Sequence, residues 1–250
     1  MIVRNPTAGE VEKAIDVAAA AFPNLSHEHW TDSFRMVTEV FGTRFLLIVE
    51  DEGEIVLTLI CQPMPVYING GLVSHASTGA VATLPEARCK GCAGAMMAEC
   101  VRLLRAEKVY LSSLWPFSYE YYRKFGWEIG AEIRSYGAEA KVLAGLGDAG
   151  KARLADKGTD MAEVKAVYDR WAQGYNCLTQ RSDVWWEKVV PFRFLPSDAE
   201  HGTIVHASES QIDGYAAYRI NEGEQKSATV LELAFQDPEH RREMLALLAT

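Results

Sequence analysis

Residues 81 to 97, VATLPEARCKGCAGAMM, pass from an apolar strand-like start through a proline into a loop of small and basic residues, then out into an apolar helical run. The first N–H groups of a helix lack intrahelical acceptors and add to the positive end of its dipole. Such a start binds anions wherever small residues let a ligand approach. Gly91, Ala93 and Gly94 give that access, and Arg88 and Lys90 bring positive charge to the same place. The ligand this loop suits is a phosphate or pyrophosphate. A P-loop would need Gly-Lys-Ser/Thr, and a dinucleotide fold G-x-G-x-x-G at the start of a parallel sheet; neither pattern occurs here. A Gly/Ala-rich turn that only packs a helix tightly remains the alternative.

Upstream, Val11, Ala14, Ile15, Ala18, Ala19 and Phe22 recur at helical spacing, and Trp30, Phe34, Val37 and Phe41 predict a second helix that Gly42 closes. TRFLLIVE, the Asp51-Glu52-Gly53 turn and EIVLTLICQP read as a hairpin. VYINGGLVSHASTGAVATL adds another on Asn69-Gly70, which makes an antiparallel meander ending at Thr83. Downstream of Pro85 the spacing predicts a helix of about two dozen residues with Met96, Cys100, Leu103 and Leu104 inward. KVYLSSLW then gives a strand and SYEYYRKFG a short helix stopped by Gly126, so strand, helix and strand form a crossover unit.

From about Ala138 the apolar pattern lapses into AEAKVLAGLGDAGKARLADKG, the expected boundary. Beyond it DMAEVKAVYDRWAQGY and SDVWWEKVVPF read as helices, the latter capped by Ser182. GTIVHAS, GYAAYRI and SATVLELAF read as strands with turns at Asp213-Gly214 and Asn221-Glu222-Gly223, and Asp237-Pro238 opens a last helix. Helices, a meander and a helix repeat the order of the first half without a residue-level repeat.

At 250 residues, 48% hydrophobic and 24% charged, the chain has the balance of a soluble globular protein. Its net charge of −9 with no basic block argues against nucleic acid or an anionic membrane as the main partner and permits attraction of cationic ligands. No apolar run approaches the roughly 18 residues of a membrane span, and MIVRNPTAGEVEK lacks a signal pattern, so the expectation is a cytoplasmic protein. Five scattered cysteines suit reduced thiols better than a disulfide framework.

The segment Arg88-Cys-Lys-Gly-Cys-Ala93 resembles the R/Q-x-x-G-x-G/A loop of the GNAT N-acetyltransferases, and YYRKFGWE resembles the tyrosine-bearing segment after their next strand. GAVATLPEARCKGCAGAMM with LSSLWPFSYEYYRKFGWE, then DRWAQGYNCLTQRSDVWW and GYAAYRI…VLELAFQDPE, resemble the Eis (enhanced intracellular survival) branch. That branch comprises bacterial acetyltransferases of two GNAT-like domains and a third sterol-carrier-like domain. The resemblance implies an α+β protein: a GNAT acyltransferase domain over residues 1–140 and a second, partial GNAT-like domain over 150–250, with the third domain absent from these residues. It implies acetyl transfer from acetyl-CoA to an amine of an aminoglycoside-like, polyamine-like or lysine acceptor. The acetyl-CoA contacts it implies are Val81, Ala82 and Thr83 for the pantetheine and thioester, Arg88, Cys89, Lys90, Gly91, Cys92, Ala93 and Gly94 for the pyrophosphate, and Phe117 and Ser118 beyond. Tyr122 matches the tyrosine that serves as general acid toward the departing thiolate. In three-domain members the terminal carboxylate serves as base, so the base here is left open, as is a homo-oligomer.

Aminolysis of a thioester needs an amine proton removed, an oxyanion stabilised and a thiolate protonated or solvated; backbone N–H groups near Ala82 and the Tyr122 hydroxyl supply donors without a metal. Cys89-x-x-Cys92 lacks two further zinc ligands at plausible spacing, so no metal is expected. At a helix start these thiols are candidates for oxidation that blocks the cofactor loop. His27, Glu28 and His29 are either an acceptor wall or a solvated helix start, and His75 either a base through water or a packed strand residue. Trp171, Trp185 and Trp186 read as core of the second half. A non-catalytic acyl-CoA-binding module is the alternative to an enzyme.

Overall fold

Leu46 and Ile48 face one side of a sheet while Leu47 and Val49 face the other, and this two-residue alternation organises the first half of the chain. The protein is described from a computed structural model that covers residues 1–190, 200–208, 211–222 and 227–250. It divides into two compact units, one of residues 1–66 and 73–132, the other of 67–72 and 133–250.

In the first unit β1 (Ile2–Arg4) precedes α1 (Val11–Ala21) and α2 (His27–Phe41). Ser26 caps α2 by accepting the His29 N–H at 3.1 Å, and Gly42 ends it at a φ of 72°. Then come β2 (Leu46–Asp51), β3 (Glu54–Pro63), β6 (His75–Thr83), α3 (Cys92–Ala106), β7 (Leu111–Leu114) and α4 (Tyr119–Arg123); between β3 and β6 the chain forms the short β4 (Val66–Ile68) and β5 (Gly71–Val73), whose residues 67–72 belong to the second unit. The sheet order is β1-β2-β3-β6-β7, antiparallel except for β6 and β7. α1 and α2 pack Ala14, Ile15, Phe34 and Val37 on the Leu46 face, and α3 packs Met96, Met97, Cys100 and Leu104 on the Leu47 face. Each large apolar side chain so buried contributes ~1.5–3 kcal/mol, so both faces are fixed by helices the periodicity predicts.

The sequence reading differs from the structure in three places here. The helix after Pro85 has 15 residues, because Pro85–Ala87 forms a separate 3-10 turn and Gly91 takes a φ of 83° before α3 begins. β4 and β5 pair on Asn69-Gly70 as expected but form their own two-stranded sheet, and β6 returns to β3. β1 goes unpredicted because three residues carry no period.

Two departures from regular pairing open the sheet. Along β3, Thr58 pairs with Ala82 and Ile60 with Gly79, so Ala80 and Val81 together oppose Leu59: a bulge, with Ala80 at a φ of 49°. On the other side β6 and β7 pair only from His75↔Leu111 to Thr78↔Leu114, after which β7 ends and β6 continues paired with β3 alone.

The second unit holds α5 (Ala140–Ala144), β8 (Ala152–Leu154), α6 (Met161–Ala172), α7 (Asp183–Lys188), β9 (His201–Ala207), β10 (Ile212–Asn221), β11 (Ser227–Phe235) and α8 (Pro238–Leu248). The antiparallel order is β11-β10-β9-β8. α6 covers one face through Val164, Val167 and Tyr168, and α8 the other through Met244. Trp185 is buried, and Trp171 and Trp186 pack on the α6 core. Ser182 caps α7 and Asp237 caps α8 as the sequence predicts. Asp213-Gly214, expected as a turn, lies inside β10 at a register shift, and β8 occupies the segment where the apolar pattern lapses. The expected helix end at Pro191 and Phe192 and the turn residue Gly223 lie outside the described residues.

Left-handed backbone at Ala80 disfavours a β-branched side chain. Ala80→Val should lower unfolding stability by ~1–2 kcal/mol, while Ala80→Gly should leave it unchanged or raise it. Urea denaturation of both variants checks this, and a larger loss for glycine than for valine would refute it.

Candidate active site

Beyond Thr78 and Leu114 the parted ends of β6 and β7 form one wall of a cleft of about 1040 Å³. Its floor and remaining walls come from the loop before α3, the segment after β7 with α4, and the junction of α1 and α2.

The loop is shaped for an anion. Cys89 and Gly91 have positive φ values of 62° and 83° with Lys90 between them in the ordinary range, an alternation that turns successive N–H groups to one side. The bond from Ala95 N–H to the Gly91 carbonyl, 3.2 Å, opens the helix, so the N–H groups of Cys92, Ala93 and Gly94 precede the α3 ladder and are available to a ligand or water. A side chain on Gly91 would project into open space, the room a ligand needs. Arg88 is exposed at the same mouth, its Nε donating a long 3.4 Å bond to the Thr83 carbonyl.

On the facing side, Ser118 Oγ accepts the Tyr121 N–H at 3.2 Å and starts α4. This turns Tyr122 inward, where it is 5% exposed and packs edge-on against Phe117 and Tyr121 at centroid distances of 5.5 and 5.2 Å. Burial, with Tyr121 as a smaller cause, pushes its hydroxyl up to about 12, so it keeps its hydrogen at neutral pH.

Of the residues the sequence singled out, Val81, Thr83, Arg88, Cys89, Gly91, Cys92, Ala93, Gly94, Phe117 and Tyr122 line this cleft. Ala82 faces the α1–α2 core and has only backbone to offer there, Lys90 is exposed outside the lining, and Ser118 serves as the α4 cap. His75 is buried, with Nδ1 2.8 Å from the Met64 carbonyl and Nε2 2.9 Å from Ser113 Oγ; burial lowers its pKa, and it is absent from the cleft lining. His27 lies 2.9 Å from Asp16 at the exposed start of α2, and the wall there is Phe22, Leu25 and Trp30. Sequence reading missed those three, Gly79 and the bulge residue Ala80, and Trp115, Lys124 and Phe125. The aromatic run around Trp115-Pro116-Phe117 directly after β7 was the available signal.

A profile of the acetyltransferase (GNAT) domain matches residues 2–130, and another acetyltransferase (GNAT) domain profile matches residues 177–250. The chain belongs to the GNAT acetyltransferase family, and its mixed α/β fold holds two GNAT-like domains. Acyl transfer is the family's chemistry, and GNAT acetyltransferases use acetyl-CoA. Similar solved structures include a GCN5-related N-acetyltransferase from Anabaena variabilis, with a TM-score of 0.79 at 14% identity over 99% of this chain and 62% of that one. Another, from Kribbella flavida, has a TM-score of 0.76 at 20% identity over 100% of this chain and 62% of that one. Eis1 from Mycobacterium abscessus has 0.70 at 18% identity over 99% and 62%. The likeness is one of fold, and this chain spans about three fifths of the length of those proteins. Among curated proteins none matches the sequence. Among the described residues no helix is long and apolar enough to cross a membrane.

The five thiols differ in exposure: Cys89 and Cys177 are exposed, while Cys61, Cys92 and Cys100 are buried. Iodoacetamide should label the first two in the folded protein and the other three only after denaturation, as peptide mass spectrometry reads out. Rapid native labelling of Cys92 would contradict its place beneath the loop.

Proposed function

We propose that this chain is an Eis-like N-acetyltransferase that moves the acetyl group of acetyl-CoA to a primary amine. The acceptor in this reading is a small cationic amine, aminoglycoside-like or polyamine-like, or a lysine side chain, drawn by the net charge of −9. Residues 1–140 act as the catalytic domain and 150–250 as a second GNAT-like domain, in a cytoplasmic protein.

The observation that carries the reading is the convergence of three unlike features on one cleft: a strand edge without a partner, a curl of free N–H groups beside Arg88, and a buried tyrosine hydroxyl. Acetyl-CoA supplies the activated acetyl group as a thioester. The N–H groups of Cys92, Ala93 and Gly94, with Arg88, suit its pyrophosphate through charge-assisted hydrogen bonds. The β6 edge from Gly79 to Thr83 offers backbone donors and acceptors to the amide-bearing arm and to the carbonyl that becomes an oxyanion. Tyr122 donates a hydrogen bond from its hydroxyl to the departing sulfur, and the Phe117 and Tyr121 rings pack against its own ring and hold it in place.

Release of free CoA thiol across a panel of amines tests the reading as a whole. Within it, Gly91→Val should weaken CoA binding by ~10–100-fold, the equivalent of losing one charge-assisted hydrogen bond of ~1.5–3 kcal/mol. Calorimetric titration checks this, and unchanged affinity in a folded variant would remove the loop from the site. Tyr122→Phe keeps the ring and deletes the donor, so kcat should fall by ~10²–10³-fold with CoA affinity little changed. A variant that turns over like the parent would show that Tyr122 does not serve the leaving group.

A further inference from the structure

In the second unit, side chains from three separate elements meet: His206 near the end of β9, Asp213 at the irregular start of β10 and His240 in the first turn of α8. One ligand atom from each, two ring nitrogens and a carboxylate oxygen, lies within 4.8 Å of the others. Strand register creates the meeting, since His206 pairs with Gly214 across a shift that sets Asp213 beside it. The two imidazoles stack with centroids 4.1 Å apart and planes at 17°.

Packing alone leaves two facts unexplained. His206 is 4% exposed, yet its Nδ1 has no hydrogen-bond partner among the described residues, and the Nδ1 of His240 is likewise buried and without a partner among them. Each orphaned polar atom costs ~1–3 kcal/mol, and here two share one cluster. The opposite edge of the His206 ring is provided for, with Nε2 3.2 Å from Glu243. Glu243 is itself held by the Lys151 N–H at 2.7 Å, and Gly150 lies so close to its carboxylate that a β-carbon there would collide. A carboxylate on Nε2 fixes that proton and leaves the Nδ1 lone pair for something else, the arrangement of a carboxylate–histidine–metal triad. The Gln211 side chain donates to Asp213 Oδ1 at 2.6 Å and orients that carboxylate.

We propose that His206, Asp213 and His240 bind one divalent transition-metal ion of the zinc class, with solvent completing the shell and Glu243 orienting His206. Two imidazoles and one carboxylate suit zinc or cobalt over magnesium or calcium, which favour all-oxygen shells. The Asp213 and Glu243 carboxylates offset both the charge of the ion and the positive end of α8, and the ion ties that helix to β9 and β10, a structural role. Loading opens the imidazole stack, because lone pairs in parallel planes do not converge. The group Glu12, Asp16 and His27 of the first unit is exposed and carries no such argument.

The test uses the whole chain, stripped with chelator and titrated with Co²⁺ and then Zn²⁺. The expected result is one equivalent of Co²⁺ with visible bands of a nitrogen–oxygen site, no thiolate charge-transfer band, displacement by Zn²⁺ and a raised melting temperature. Glu243→Gln should weaken Zn²⁺ binding by ~10–100-fold and His240→Gln by at least as much. Cys89→Ser should leave it unchanged. No stoichiometric Co²⁺ binding by the stripped parent, a thiolate band, or undiminished affinity in His240→Gln would each overturn the proposal. The parent titration decides the matter even if the variants fail to fold.

Discussion

Past Thr78, β6 runs on without β7 beside it, and the backbone groups along that edge have no strand to bond. Unpaired backbone polar groups are tolerated only where water or a ligand satisfies them, so the parting of the two strands both destabilises the sheet edge locally and makes it receptive. The crossover connection adds the second requirement. A parallel pair joined by a helix puts the helix N-terminus at the end of the pair where the first strand exits, here the same end at which the strands separate. The start of α3, with its N–H groups ahead of the helical ladder, and the open edge of β6 therefore share one cleft as a consequence of topology. The bulge at Ala80 and Val81 aids this by breaking the pairing with β3 beside the gap.

Local chemistry made much of this legible. Gly42, Asn69-Gly70, Ser182 and Asp237-Pro238 sit where their conformational or capping preferences belong, and the elements they bound were read with the right type. Errors fell where tertiary pairing overrode a local signal. Asp213-Gly214 has turn chemistry, but pairing with β9 and β11 holds it in a strand, and β8 is too short and exposed to show a period. The helix after Pro85 was overextended because apolar spacing cannot register a reversal of φ at Cys89 and Gly91.

The site divides along the same line. The small-residue loop and Tyr122 were readable because their chemistry lies in consecutive residues. Phe22, Leu25 and Trp30 were not, since only the packing of α1 and α2 against the sheet brings them to the cleft. Ala82 illustrates the limit of reading a strand from its residue types: one position from Val81 and Thr83, its side chain belongs to the other face. The cluster around His206 was hidden for the same reason, being assembled by strand register and a helix more than thirty residues on.

Proton placement is the last constraint the cleft imposes on the proposed chemistry. A thiol titrates near ~8.5 and Tyr122 near about 12, so full transfer of its proton to a thiolate of ordinary basicity would run uphill by ~5 kcal/mol. Burial of the thiolate narrows that gap, yet the direction stands, and Tyr122 serves better as a hydrogen-bond donor held in place than as the source of the proton. The amine presents the opposite problem. Among the described residues lining the cleft, the titratable side chains are Arg88, Cys89, Cys92, Tyr121, Tyr122 and Lys124, with no carboxylate or imidazole. An alkyl amine with a pKa near ~10.4 is almost wholly protonated at neutral pH, and freeing it costs ~4–5 kcal/mol. The proposed reaction therefore requires the acceptor to shed that proton before it attacks, and none of the described side chains on these walls is a carboxylate or imidazole that could take it.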